Sequence, residues 1–174
     1  MRLPKIGLLL VPGTLLAISS LGVAAESSDT FFAASGDVTV TVDEATATMT
    51  KIRDRIPAIT IISAPASVQK LGSTYSVNLF FSDDFDPKPG KYPIEFSYRR
   101  QVNTLGGSFR GSGTTFSHDT KGTAEFTEFG EQVTVRFEFE TFDESEGKEG
   151  RRGVTVKGEA VCARADIFGG LAGR

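Results

Sequence analysis

The chain of 174 residues has no tryptophan, one cysteine and one histidine. Cys162 therefore has no internal partner, and with no disulfide the fold must be held by its core. It lies late in the strand-like run Val154–Cys162, where a small buried apolar side chain is the expected role and intermolecular pairing the alternative. A catalytic thiol would need a histidine beside it, and only His118 exists. That histidine has no second histidine or cysteine pair near it in sequence, so no transition-metal ligand set is apparent.

Excess positive charge is also lacking. There are 19 basic and 22 acidic side chains, a formal net charge of -3. Such a surface favours solubility and offers no broad field for a phosphate backbone, so nucleic acid is not an expected partner. Gly106-Gly107-Ser-Phe-Arg-Gly111-Ser-Gly113 is rich in glycine, but no helix pattern follows it and no lysine–hydroxyl pair ends it, which excludes a phosphate-binding loop. No repeat of twenty to fifty residues is visible. Beyond the first 25 residues, no long stretch has helical periodicity bounded by caps.

The first 25 residues form a class of their own. Arg2 and Lys5 precede an apolar run from Ile6 to Val23, and Val23 and Ala25 supply small residues before a cleavage point ahead of Glu26. This pattern predicts a secretory signal peptide over 1–25 and a periplasmic or extracellular product. An uncut membrane anchor is the alternative, since the stretch nearly reaches spanning length. Pro12 and Gly13 interrupt it and no basic stop-transfer cluster follows, so no stable membrane span is expected after cleavage. Losing Arg2 and Lys5 would leave 17 basic against 22 acidic side chains, a charge of about -5.

Residues 26–36 are small and polar around Phe31-Phe32 and predict a flexible lead-in, its aromatics docked on a single domain over 37–174. Val38-Thr-Val40-Thr-Val42 alternates strictly, with Ala45–Met49 as a candidate hairpin partner. Residues 50–57 allow a short helical turn that Pro57 stops. Ile59–Ile62 reads as a strand, and Val77, Leu79 and Phe81 alternate with Asn78 and Phe80, so that even the outward phase carries a phenylalanine. Asp83-Asp-Phe-Asp-Pro-Lys-Pro-Gly90 is a break. Tyr92–Tyr98 follows as a strand with Ile94, Phe96 and Tyr98 on one side, at an edge or beginning after Pro93. Val133, Val135, Phe137 and Phe139 form the dry face of the longest strand, paired across a charged, solvated loop at 143–153 with Val154–Val161. About eight strands without helices for crossovers predict an all-β fold, an antiparallel β-sandwich, with a closed β-barrel as the alternative.

Each candidate site has a structural reading beside it. Asp83, Asp84 and Asp86 could offer oxygens to calcium, but the twelve-residue loop signature is missing and aspartate is an ordinary turn residue. Otherwise no cofactor is indicated. Glu138 and Glu140, or any two of these with Asp83 and Asp86, could act as a hydrolytic acid and base, yet two carboxylates on one wet face serve equally in cross-strand pairing. Ser117-His118-Asp119 reads as a hairpin turn, since consecutive residues rarely have triad geometry. The aromatic surplus, 14 phenylalanines and three tyrosines, is the anomaly. If Phe80, Phe126 and Phe142 take the outward phase and cluster with Tyr92 and Arg99 or Arg100, they make a ligand cleft or partner patch. The preferred expectation is a noncatalytic binding or structural module for a protein, glycan or apolar ligand. Its rivals are a small extracellular polymer hydrolase and an envelope subunit that associates through a sheet edge.

Overall fold

Alternation of β-branched or aromatic residues with threonine, serine and charged residues puts one row of side chains on each face of a strand. In the computed structural model, which describes residues 29–52, 56–63, 74–144 and 151–165, this pattern produces ten strands and no α-helix. They are β1 (Phe31–Gly36), β2 (Val40–Val42), β3 (Ala45–Ile52), β4 (Ile56–Ser63), β5 (Ser76–Phe81), β6 (Gly90–Glu95), β7 (Leu105–Gly111), β8 (Thr114–Phe129), β9 (Gln132–Asp143) and β10 (Gly153–Ala163). The only helical element among the described residues is a single 3₁₀ turn, Tyr98–Arg100. No helix among the described residues is long and apolar enough to cross a membrane. The expected signal peptide at 1–25 lies outside the described residues, as does 145–150 of the charged loop.

All ten strands share one sheet in the order β2-β1-β10-β9-β8-β6-β7-β5-β4-β3. Every ladder is antiparallel except a single parallel bridge between Ile94 of β6 and Leu105 of β7, so the sheet is mixed. It is not closed. Its two end strands, β2 and β3, are joined by Asp43 and Glu44 alone, which brings the ends of the sheet beside each other. A backbone bond from Ala45 N–H at the start of β3 to the carbonyl of Thr30, just before β1 (2.9 Å), ties the two ends together.

Three sequence expectations are corrected here. Phe31–Gly36, within the segment whose composition predicts a flexible lead-in, is strand β1, laddered to β10 with Phe32 fully buried. β2 and β3 do not form a hairpin; β3 pairs with β4, with Ile52 opposite Ile56, where the sequence also allows a helical turn. The strand containing Tyr92 stops at Glu95, so Phe96 and Tyr98 leave the alternation that carries Ile94 inward.

The core lies on the inner face. Val77, Leu79 and Phe81 of β5 and Val133, Val135, Phe137 and Phe139 of β9 are buried, as their phase requires. Five aromatic rings form one end: Phe81–Phe85 at 4.7 Å, Phe85–Tyr92 at 4.8 Å, Tyr92–Phe126 at 5.6 Å and Phe126–Phe129 at 5.2 Å. Each such pair adds about 0.5–1.5 kcal/mol beyond the area it buries. The Tyr92 hydroxyl donates to the Lys88 carbonyl (2.9 Å), so its polar end is satisfied. Cys162 is buried in the same core, and burial pushes its thiol up to about 11.

Glycines in β7 and beyond have separate uses. Ser112 and Gly113, both at positive φ (51° and 80°), make the two-residue hairpin between β7 and β8. Gly106 and Gly107 instead let other groups approach the sheet.

Candidate functional site: an aromatic and basic crevice at a fork in the sheet

β8 is long enough to serve two neighbours along one edge. Its first residues pair with β7 (Phe116 opposite Phe109), and its middle pairs with β6 (Gly122 opposite Ile94). Between them β8 is irregular, with register shifts from Phe116 to Lys121 and Asp119 at a φ of 46°. The sheet forks there. Thr120 ties the fork from within: its hydroxyl donates to the Gly107 carbonyl (3.1 Å) and shares a 2.9 Å bond with the Thr141 hydroxyl.

On the outer face this fork leaves a crevice of about 150 Å³ walled by Phe80, Phe96 and Tyr98, with Gly106 and Gly107 at its base. The chain between β6 and β7 makes the wall. Gln101 Nε2 donates to Glu95 Oε2 (2.7 Å) and to Ser97 Oγ (2.8 Å), which cinches the 3₁₀ turn and swings Tyr98 back over the sheet. A Cβ at Gly106 would overlap the Tyr98 ring, so glycine is what admits the ring. Phe80, opposite both Gly106 and Ala58 on neighbouring strands, stacks on Tyr98 with centroids 5.9 Å apart and planes 21° apart.

Phe96 is 53% exposed, and its ring lies 5.3 Å from that of His118. His118 is not in a hairpin turn; it sits at the β8 irregularity, with Nε2 3.1 Å from Glu144 Oε1. Beside the crevice, Phe96 to Arg100 border an open shelf of about 560 Å³. Arg99 donates from Nε to the Tyr98 hydroxyl (3.3 Å); that bond, with Asp83's charge behind it, further favours the charged guanidinium. The Arg100 guanidinium makes no hydrogen bond or ion pair to any described residue.

The outer surface on either side of the fork differs. Across β6, β8, β9 and β10 it is a lattice of opposed charges: Lys91, Glu125, Arg136 and Glu159 form one row, and Glu95, Lys121 and Glu140 another. Glu138 faces Lys157, and Arg136 bonds Glu159 at 2.7 Å. Across β3, β4, β5 and β7 the rows are Thr48-Thr60-Asn78-Ser108 and Thr50-Ala58-Phe80-Gly106, without a carboxylate. The crevice lies on the boundary.

The residues singled out from sequence therefore separate. Phe80 lines the crevice, while Arg99 and Arg100 border the adjoining shelf. Tyr92 and Phe126 do not join them; both are buried in the aromatic end of the core, where they cannot line an outer cleft. Phe142 is outward, as its phase requires, but lies under Arg151 and opposite His118, at the margin. Asp83 and Asp84 are exposed in the turn after β5, and Asp86 is ion-paired with Lys88 at 2.7 Å. No group of three or more His, Cys, Asp and Glu among the described residues is arranged to hold a metal ion. Sequence reasoning missed Phe96, Tyr98, Ser117 and Glu95 as site residues.

Comparison of the chain with protein-family models, with functionally curated proteins and with solved structures yields no match.

Proposed function

We propose that this is a secreted or periplasmic, noncatalytic binding module that holds its ligand on the outer face of the sheet, in the crevice at the fork. The observation that carries this reading is the Phe80–Tyr98 stack beside exposed Phe96, flanked by Arg99 and Arg100. Aromatic faces left half open beside exposed arginines are characteristic of contact surfaces. In the same reading the domain is a curled sheet, a barrel left open between its end strands β2 and β3, since a two-residue link cannot join opposite ends of a flat sheet. The opposed charges around Glu138 and Glu140 favour a solvated ladder over a hydrolytic pair.

Native mass spectrometry of the protein recovered from its own compartment, as wild type and as Phe96→Ala/Arg100→Glu, tests this. A bound mass present in the wild type and lost in the variant supports the crevice. A mass that both forms keep places the ligand elsewhere, and a chelator-sensitive divalent ion returns attention to the Asp83–Asp86 turn.

A second reading has one observation of its own. Among the described residues Thr46–Ile52 of β3 are laddered only to β4, and β3 ends the strand order, which favours an envelope subunit joined through a sheet edge. A discrete oligomer in the same spectra supports it.

A further inference from the structure

Resting on the crevice as the binding surface, we propose that its ligand is an acidic polysaccharide, a chain of pyranose rings bearing carboxylates. A pyranose has apolar C–H faces and a rim of hydroxyls. The crevice has the complementary parts: the rings of Phe80, Phe96 and Tyr98 as walls, and the Ser117 hydroxyl and Glu95 carboxylate as polar edge groups. Glu95 is oriented by Gln101, which occupies one of its oxygens and leaves the other to accept from a hydroxyl. The larger shelf along Phe96–Arg100 shares Phe96 and Tyr98 with the crevice and continues it, so a chain can lie across both.

Charge decides that the chain is acidic. On the lattice side of the outer face, cations stand opposite carboxylates on the adjacent strand, and the protein as a whole is negative. The Arg100 guanidinium has no hydrogen-bond or ion-pair partner among the described residues, and Arg99, with Asp83's charge behind it, spends one donor on Tyr98 and keeps the rest. Two adjacent guanidinium forks suit carboxylates spaced along a chain, and the surrounding negative field discourages the same anion from binding elsewhere. A nucleic acid or other polyphosphate would need a broader positive field than two arginines on an acidic domain. An acidic peptide docking as an added strand would find only a short edge at the fork, where β6 meets β7 at the single Ile94–Leu105 bridge and Pro93 has no N–H to offer a ladder. A polysaccharide needs no ladder.

The test is a titration of the isotopically labelled protein with a galacturonic-acid hexamer and, separately, a neutral glucose hexamer, following backbone amide shifts. The expected result is that the acidic hexamer perturbs Phe80, Glu95–Gln101 and Ser117, and binds at least about tenfold more tightly than the neutral one. Arg100→Glu, at an exposed position, should weaken the acidic hexamer by about tenfold or more, and raised salt should weaken it too. Equal binding of both hexamers in the crevice, reduced for both by Phe96→Ala, overturns the acidic class while leaving the crevice as the binding surface. Apolar fragments shifting the crevice while neither hexamer does overturns the polysaccharide and likewise spares the crevice. Hexamer binding insensitive to both Phe96→Ala and Arg100→Glu overturns both readings.

Discussion

The Tyr98 ring lies directly over Gly106, in space that a β-carbon at residue 106 would occupy. Gly106→Ala must therefore push the ring off the sheet and break its stack on Phe80. Overpacking of this kind costs about 1–3 kcal/mol, and the loss should appear in urea denaturation. Because the ring walls the crevice, ligand affinity should fall as well. Unchanged stability and affinity would mean that the ring is not held there.

Gly122 is a stricter case. A Cβ there would meet backbone, the Glu138 carbonyl and the Phe139 Cα across the β8–β9 ladder, and backbone cannot rotate away as a tyrosine ring can. Gly122→Ala should cost about 3 kcal/mol or more, the upper end of the overpacking range. Gly130→Ala, whose nearest neighbour is the Glu128 carboxylate at 4.0 Å, should stay within about 0.5 kcal/mol. Comparing the two midpoints checks the β8–β9 register directly.

These packing relationships mark the limit of what the sequence shows. β5, β9 and β10 are legible because their alternation is unbroken, and the same parity places Phe80 and Phe142 outward. Parity fails where a strand ends or slips. Phe126 is expected outward, but it shares the inward phase of Ala124, and the shift between Phe126 and Glu128 then turns Phe129 inward as well. Tyr92 shares the inward phase of Ile94, and its polar hydroxyl masks that in the sequence. The crevice itself is not legible, because it arises from the handover of β8 from β7 to β6, a tertiary pairing with no local signature.

Cys162 gives a pH dependence of known sign. Its thiol titrates near 9.0 when free and is raised to about 11 by burial. Between those values the unfolded chain has lost a proton that the folded chain keeps, so stability falls as pH rises, by at most about 1.4 kcal/mol per pH unit. The contribution is complete below about pH 9 and gone above about pH 11. Subtracting the profile of Cys162→Ala from that of the wild type isolates it. A thiol reagent at neutral pH should label the protein only on unfolding.

The charge lattice should respond to reversal. Lys121 stands opposite both Glu95 and Glu140, so Lys121→Glu sets three carboxylates in one row. A loss of about 0.2–1 kcal/mol is expected, shrinking in high salt, with Glu140→Lys restoring part of it in a double-mutant cycle. Strict additivity of the two substitutions would show that the row carries no coupling.

The most direct test of the binding surface does not require the natural ligand. Backbone amide shifts would be followed while small aromatic, sugar and carboxylate fragments are added one at a time. The expected result is convergence of the perturbations on Phe80, Glu95–Gln101, Gly106 and Ser117. Convergence instead on the Asp83–Gly90 turn or the β3 edge, with the crevice silent, would contradict the assignment.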